Sequence, residues 1–347
     1  MNKYTFSMTL HRDKPLYIAE ISANHLGSLE RALKLIEAAA EAGATAVKFQ
    51  TYTADTMTLD LPEMSVSEGH ELWGGRSLYS LYEEAHTPWD WHPELFERCR
   101  KLNVIPFSSP FDSTAVDFLE SLNAPMYKIA SLETSDHALI RKVASTGKPV
   151  IISTGATEWD EVASLVEVFK DSGNTDLTLL VCTSSYPADP VDAHIARMKT
   201  LRDAFHVKVG LSDHTLGTGV SIAAIALGAT AIEKHITIKR SDGGADSAFS
   251  MEPHEFMELV IQGNFAFQSL GSAKWAINDS EKESRRLRRS LYVVKDVSAG
   301  ELATLENVRA IRPGYGASPS ILSTVLGKKF AKDCNKGTPF DLSLVEN

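Results

Sequence analysis

Cysteine is scarce: the 347 residues hold three, Cys99, Cys182 and Cys334. They are far apart, odd in number and outside any zinc-ligand spacing. That excludes a disulfide framework and a structural zinc site and leaves reduced thiols, as expected of a cytoplasmic protein. No activating partner for them is visible, so they read as packing residues. Long apolar runs are also missing, and no segment can span a bilayer as a helix. Met1 to Phe6 carries no signal-peptide core. Excess positive charge is absent: 35 Lys and Arg stand against 45 Asp and Glu, a net charge of −10. That balance argues against nonspecific nucleic-acid binding. It also means that an anionic ligand needs a local cluster of cations. Finally, the first strand-like run is followed by Asn24-His25-Leu26-Gly27-Ser28. This is a poor match to the Gly-rich phosphate turn of a doubly wound sheet.

What is present is a strand–helix alternation. After a hairpin expected from Thr5–Leu10 with Tyr17 onward, eight apolar runs follow: Tyr17–Ser22, Ala46–Gln50, Val104–Ser108, Met126–Ala130, Val150–Ser153, Leu177–Cys182, Val207–Leu211 and Ala231–His235. Helical spacing fills the gaps, in Leu29–Glu41, Ser113–Leu122 (with a cap expected at Ser113), Glu158–Lys170, Thr218–Gly228 and Pro253–Leu270. Eight such units in about 250 residues predict an α/β fold, a (β/α)8 TIM barrel, over residues 1–270. Residues 271–289, including the basic run Lys282–Arg289, read as a solvated linker. Residues 290–347, with runs at Ser290–Val294 and Val308–Ile311 and glycine turns between, predict a small β-rich domain. That size is marginal alone, so it should pack against something. The connection Thr51–Glu94 exceeds the usual βα loop and carries Trp73, Tyr79, Tyr82, His86, Trp89 and Trp91. It reads either as part of a substrate site or as a surface excursion stitched down by its aromatics.

The most informative feature is a matched pair of histidines. His214 and His235 each close a strand-like run, with a helix between. A right-handed crossover makes the two strands parallel and puts both ends on one face. Two imidazoles so placed suit a divalent metal such as Mn²⁺ or Zn²⁺, with open positions for Lewis-acid work. The other strand ends add polar groups: Glu20, Ser22, Asn24 and His25; Lys48 and Gln50; Ser108 and Ser109; Lys128, Ser131 and Glu133; Ser153; Thr183, Ser184 and Tyr186; Ser212 and Asp213. Lys48 and Lys128 lie among apolar neighbours, where an unpaired ammonium is costly, so an anionic partner is expected. Two lysines and a ring of hydroxyls suit a small phosphate-bearing acid.

At these residues the chain resembles the sialic acid synthase family, a barrel followed by an antifreeze-like (SAF) domain. The matching strings are Ala19–His25, Val47–Thr51, Tyr127–Ser131, Ile152–Gly155, Gly210–Thr215 and Glu233–His235. In the tail they are Arg289-Ser290-Leu291 through Gly300-Glu301, then Arg312-Pro313-Gly314. Gln50–Thr56 and Leu78–Trp89 look most like the pseudaminic acid synthases of that family. One departure is Ser184, where N-acetylneuraminate synthases place asparagine.

The resemblance implies condensation of phosphoenolpyruvate with the open-chain aldehyde of an amino sugar, here 2,4-diacetamido-2,4,6-trideoxy-L-altrose, with C–O cleavage and release of phosphate. It implies a divalent metal on His214 and His235, Mn²⁺ in first place with Mg²⁺ or Co²⁺ as alternatives. Lys128, Ser131, Ser153, Ser184 and Ser212 would cradle the phosphate, and Lys48 and Ser109 would meet the carboxylate. Glu20 would shuttle a proton or orient the tetrahedral centre. Gln50, Glu133, Tyr186, Asp246 and Arg312 would contact the sugar, with Arg312 delivered in trans within a domain-swapped homodimer. The rivals are an N-acetylneuraminate or legionaminate synthase, a Schiff-base aldolase using Lys128, and a binding protein acting through the tail. The tail lacks the flat Thr-rich surface expected for ice binding. Neither nucleic acid nor membrane is an expected partner.

Overall fold

The computed structural model describes residues 14–68, 72–272 and 275–346; the hairpin expected from Thr5–Leu10 lies outside them. The apolar runs form eight short strands: β1 (Leu16–Glu20), β2 (Ala46–Thr51), β3 (Ile105–Pro110), β4 (Tyr127–Ile129), β5 (Val150–Ser153), β6 (Leu177–Cys182), β7 (Lys208–Ser212) and β8 (Ala231–His235). They pair in sequence order, all parallel, and β8 closes on β1 with Glu20 opposite His235. Helices with one apolar face connect them. Leu29–Glu41 buries Ala32, Leu35, Ile36 and Ala39 and is capped by Ser28, whose hydroxyl accepts from Arg31 N. The helix expected from Ser113 is capped one residue earlier: Asp112 accepts from Thr114 N and Ala115 N, because its carboxylate reaches two orphan donors.

Strand period divides every β residue between two faces. Outward residues such as Tyr17, Ala19, Val47, Phe49, Ile129 and Leu179 join the helices in one buried shell. Inward residues Leu16, Ile18, Ala46, Phe107, Met126, Ile151, Leu180 and Ala231 form a second, central cluster. A barrel of eight strands is just wide enough for side chains to fill. Gly210 has to be glycine, since a Cβ there would lie 2.3 Å from Ala231 O.

A second compact unit begins at Ser272. Here β9 (Ser290–Val293) and β10 (Val308–Ile311) pair antiparallel, Val308 opposite Val293. Leu291, Val293, Val308, Phe330 and Phe340 are buried at its centre. The stretch read as a linker is partly helical: Lys282–Arg286 forms a short exposed helix after an Asn278–Glu281 capping box. Among the described residues no helix is long and apolar enough to cross a membrane.

Candidate active site

The alternation that fills the barrel with apolar side chains turns polar at the strands' C-terminal ends. On β1 the inward series is Leu16, Ile18, Glu20; on β2 it is Ala46, Lys48, Gln50; on β8 it is Ala231, Glu233, His235. Lys48 Nζ lies 3.1 Å from Glu20 Oε2 and 2.9 Å from Glu233 Oε1. Ser212 Oγ donates to Glu233 Oε1 at 3.2 Å, and Gln50 Nε2 donates to Glu20 Oε1 and Ser22 Oγ, each at 3.0 Å. Ser22 in turn donates to Asp246 Oδ2, which also accepts from Ala23 N. Lys48 therefore finds its anionic partners inside the protein, which corrects the expectation that its burial by itself signals an anionic ligand. Glu233 was missed, although it stands two residues before His235 on the same face.

The electrostatics of this layer are tightly bound together. Burial lifts the Glu20 carboxyl above the ordinary range, with Lys48 opposing and Glu233 adding to the rise. Burial disfavours the Lys48 cation, but Glu20 and Glu233 outweigh it and hold the pKa high. Burial also works against ionised Glu233, and Lys48 and Lys128 overcome it, keeping that carboxylate charged. Lys128 has less support. Burial pulls its pKa down to about 8; Glu233 opposes this and Lys48 reinforces it. Its Nζ donates to Ile129 O at 3.0 Å.

Around the lysines stand hydroxyls. The Oγ atoms of Ser109, Ser153 and Ser184 are buried and lack a hydrogen-bond partner among the described residues. Ser131 Oγ accepts from Gly155 N at 3.0 Å. A Cβ on Gly155 would come within 2.4 Å of Ser184 Oγ, 2.9 Å of Ser131 Oγ and 3.1 Å of Cys182 Sγ, so this glycine keeps a niche open between them. Buried donors without acceptors cost free energy that a bound anion would recover. Glu133 Oε2 is likewise unpartnered among the described residues, and burial raises its pKa despite Lys128.

The two imidazoles lie with ring centroids 5.4 Å apart. His214 Nδ1 donates to Thr183 O at 2.9 Å, which fixes the tautomer and leaves Nε2 a lone pair. His235 is held neutral, its pKa pushed well below the usual value by burial and then by His214, and its buried Nδ1 has no hydrogen-bond partner among the described residues. Burial works against a charged His214, but Cys182 and Thr183 outweigh it and raise its pKa; with its Nε2 deprotonated, the two imidazoles at this separation fit a divalent ion. Among the described residues no group of three or more His, Cys, Asp or Glu could hold one, so further positions would fall to ligand and water. Tyr186 packs on His214 at 4.4 Å, and Phe249 lies 5.0 Å from both Tyr186 and His235. Asp246 is buried, and burial raises its pKa although Ser22 and Ala23 oppose this.

Two sequence readings change. Cys182 is no mere packing residue: its Sγ lies 4.0 Å from His214 Nδ1. Burial alone would raise its pKa, but His214 brings it down to about 7. Its inward position, two after Leu180, was the available signal. Asp213 points the other way, into the helix shell, where it pairs with Lys234 at 3.2 Å and accepts from Ser221, Thr215 N and Thr215 Oγ1. It braces the loop that carries His214. Arg312 belongs to the second unit, follows β10 and is exposed.

The described residues of the 52–94 connection are anchored at several points. His92 Nε2 bonds Thr51 Oγ1 at 2.8 Å, Trp89 donates to Tyr52 O at 3.1 Å and stacks on Phe118, and Trp91 meets the His25 ring edge-on. Trp73 reaches the opposite side, donating from Nε1 to Ala245 O at 3.1 Å and packing 5.8 Å from Tyr186.

Residues 35–275 match the NeuB family and residues 288–346 the SAF domain. The chain is 42% identical to the pseudaminic acid synthase of Campylobacter jejuni over 94% of this chain and 95% of that one. It is 43% identical to that of Helicobacter pylori over 96% and 98%. A crystal structure of the N-acetylneuraminic acid synthetase of Leptospira borgpetersenii superposes with a TM-score of 0.71 at 32% identity, covering 79% of this chain and 90% of that one. The chain therefore belongs to the NeuB family: it is a sugar-acid synthase with a C-terminal SAF domain, and it resembles pseudaminic acid synthases at 42% and 43% identity.

Proposed function

We propose that this enzyme condenses phosphoenolpyruvate with 2,4-diacetamido-2,4,6-trideoxy-L-altrose to give a nine-carbon 2-keto sugar acid and phosphate. The carrying observation is the barrel mouth. A buried lysine–carboxylate layer and three unpartnered hydroxyls lie beside two imidazoles that can share an ion. When bound between His214 and His235, a divalent metal (Mn²⁺ in first place, Mg²⁺ or Co²⁺ as alternatives) supplies Lewis-acid polarisation of the aldehyde oxygen.

The chain's own residues do the rest. Ser153 and Ser184 offer unused hydroxyls to the phosphate, and Ser131, Ser212 and Lys128 turn from internal partners to join them. Lys48 and Ser109 receive the carboxylate, so that the enol carbon faces the aldehyde. C3 attacks the aldehyde carbon, water adds at C2, and the hemiketal phosphate loses phosphate by C–O cleavage. Glu20, lifted by burial, holds or gives up a proton near neutral pH at the carbon that water attacks. Gln50, Glu133, Tyr186 and Asp246 line the sugar side. A homodimer in which the partner's tail brings Arg312 would complete it. Met257, Ile261 and Phe265, exposed at four-residue spacing on the helix Pro253–Ser269, support burial against a second chain. Three free cysteines suit the cytoplasm.

The test incubates the purified chain with phosphoenolpyruvate, Mn²⁺ and a panel of hexosamine aldehydes, reading phosphate release. Preference for the L-altro sugar supports the proposal. Preference for N-acetylmannosamine, or for the sugar precursor of legionaminate, moves it to the neighbouring synthases. A borohydride-trapped lysine adduct with pyruvate and no phosphate release would replace it with the aldolase.

A further inference from the structure

We infer that Asp213 and Lys234 are positioning residues for the ion site: their buried pair fixes the separation at which His214 and His235 share a divalent ion. The inference deepens the reading above and rests on its assignment of the ion to these two imidazoles. Asp213 directly precedes His214, and Lys234 directly precedes His235. Neighbouring residues of a strand face opposite ways, so the pair lies behind the histidines, on the helix side of the barrel wall. There Asp213 also meets Ser221, on the helix Gly219–Ala226.

The ladder between β7 and β8 is short. Leu211 stands opposite Ile232 and Ser212 opposite Glu233, and the last backbone bond runs from Asp213 N to Glu233 O at 2.9 Å. The side-chain pair takes over where that ladder stops. Lys234 Nζ lies 3.2 Å from Asp213 Oδ2 and donates to Thr215 O, so one ammonium grips the chain on both sides of His214. Asp213 Oδ1 in turn accepts from Thr215 N at 2.9 Å and Thr215 Oγ1 at 2.7 Å, which closes the turn around His214. Both side chains of the pair are 1% exposed. A pair so deeply buried is weak evidence for stability, since apolar side chains of the same volume often serve the fold as well or better. Its place suits a different task. Groups that orient metal ligands without touching the metal typically change its affinity about tenfold to a hundredfold when lost.

The experiment titrates the metal-free full chain with Mn²⁺ alone and reads free Mn²⁺ by electron paramagnetic resonance, with thermal unfolding of each protein beside it. It compares wild type, Lys234→Met, the charge-neutral double variant Asp213→Asn/Lys234→Met, and Lys208→Met. The double variant strands no charge and keeps an acceptor for Thr215. Lys208→Met removes the Lys208–Asp176 pair, 2.7 Å long, at the opposite end of β7. Mn²⁺ binding should weaken about tenfold to a hundredfold in the folded double variant, and in Lys234→Met where it folds. Lys208→Met should stay within about twofold of wild type, because it lies away from the ligands. A folded double variant that binds Mn²⁺ within about threefold of wild type would reduce the pair to a brace and overturn the inference. Loss of the folded state in both Lys234 variants, or an equal loss of affinity in Lys208→Met, would overturn it too. Wild type that takes up no Mn²⁺ would remove the ion from the histidines and sink the assignment beneath it as well.

Discussion

Two layers of one barrel interior, built by the same strands and only two residues apart, obey opposite rules. The lower layer is Leu16, Ile18, Ala46, Phe107, Met126, Ile151, Leu180 and Ala231, with no charge among them. The upper layer holds Glu20, Lys48, Lys128 and Glu233, each 4% exposed or less, with Ser153, Ser212 and Cys182 between them. Burying four ionisable groups costs stability that apolar side chains of the same volume would not, since an ion pair taken out of water recovers its desolvation only with excellent geometry. The lower layer therefore holds the fold, and the upper layer, which costs stability, lies at the end of the barrel where this architecture places its sites.

The comparison breaks first at Lys48. Lys48→Met strands Glu20 and Glu233 without their shared cation. It should cost about 3–5 kcal/mol by denaturant unfolding at pH 7 and lower kcat/KM about 10²–10³-fold. A variant that folds and turns over like its parent would end the distinction between layers. Phe107→Ala, in the layer below, should cost a similar 3–5 kcal/mol, roughly. It should leave KM for phosphoenolpyruvate within about threefold, because no polar group is moved. An equal collapse of substrate binding would show that the layers are not separable.

A third test asks whether the upper layer is complete in one chain. His214→Ala and Arg312→Ala, each inactive alone, are co-expressed. In a swapped dimer with random pairing about a quarter of sites recover. Verified mixed dimers without activity would assign Arg312 to its own barrel. The smallest effect concerns Lys128, whose folded pKa of about 8 lies below the ordinary 10.5. A depressed lysine gives stability above the unfolded pKa and loses it as pH falls through the folded one. Lys128→Met should therefore be more stable than its parent at pH 7, with the advantage fading from about pH 8 to 10.5. A constant difference across that range, followed by thermal unfolding, would contradict the reading.

Much of this was legible because strand period and strand end are local signals. Val150–Ser153, Leu177–Cys182 and Ala231–His235 are strands at the bounds their apolar runs imply. The histidine pair follows from two of those ends. What the sequence hid depends on which face a residue takes and what stands across the barrel. Glu233 and Cys182 look like ordinary strand residues until the parity of His235 and Leu180 is applied. Asp213 looks like a site residue until the parity of Ser212 turns it outward to Lys234. Lys48 could be recognised as buried and paired, but its partners sit on β1 and β8, 28 and 185 residues away, beyond any local pattern. The 52–94 connection escaped for the same reason: Trp73 meets Ala245, far along the chain.

The central claim is that the upper layer binds phosphate as a leaving group while water attacks carbon. In the proposed reaction the hydroxyls of Ser153 and Ser184 and the Lys128 ammonium would hold the phosphate, and attack at C2 would be left to water. Turnover in water labelled with heavy oxygen tests this directly. The account predicts label in the sugar acid and unlabelled inorganic phosphate, read by mass spectrometry after a single turnover. Label in the phosphate, with none in the sugar acid, would contradict it.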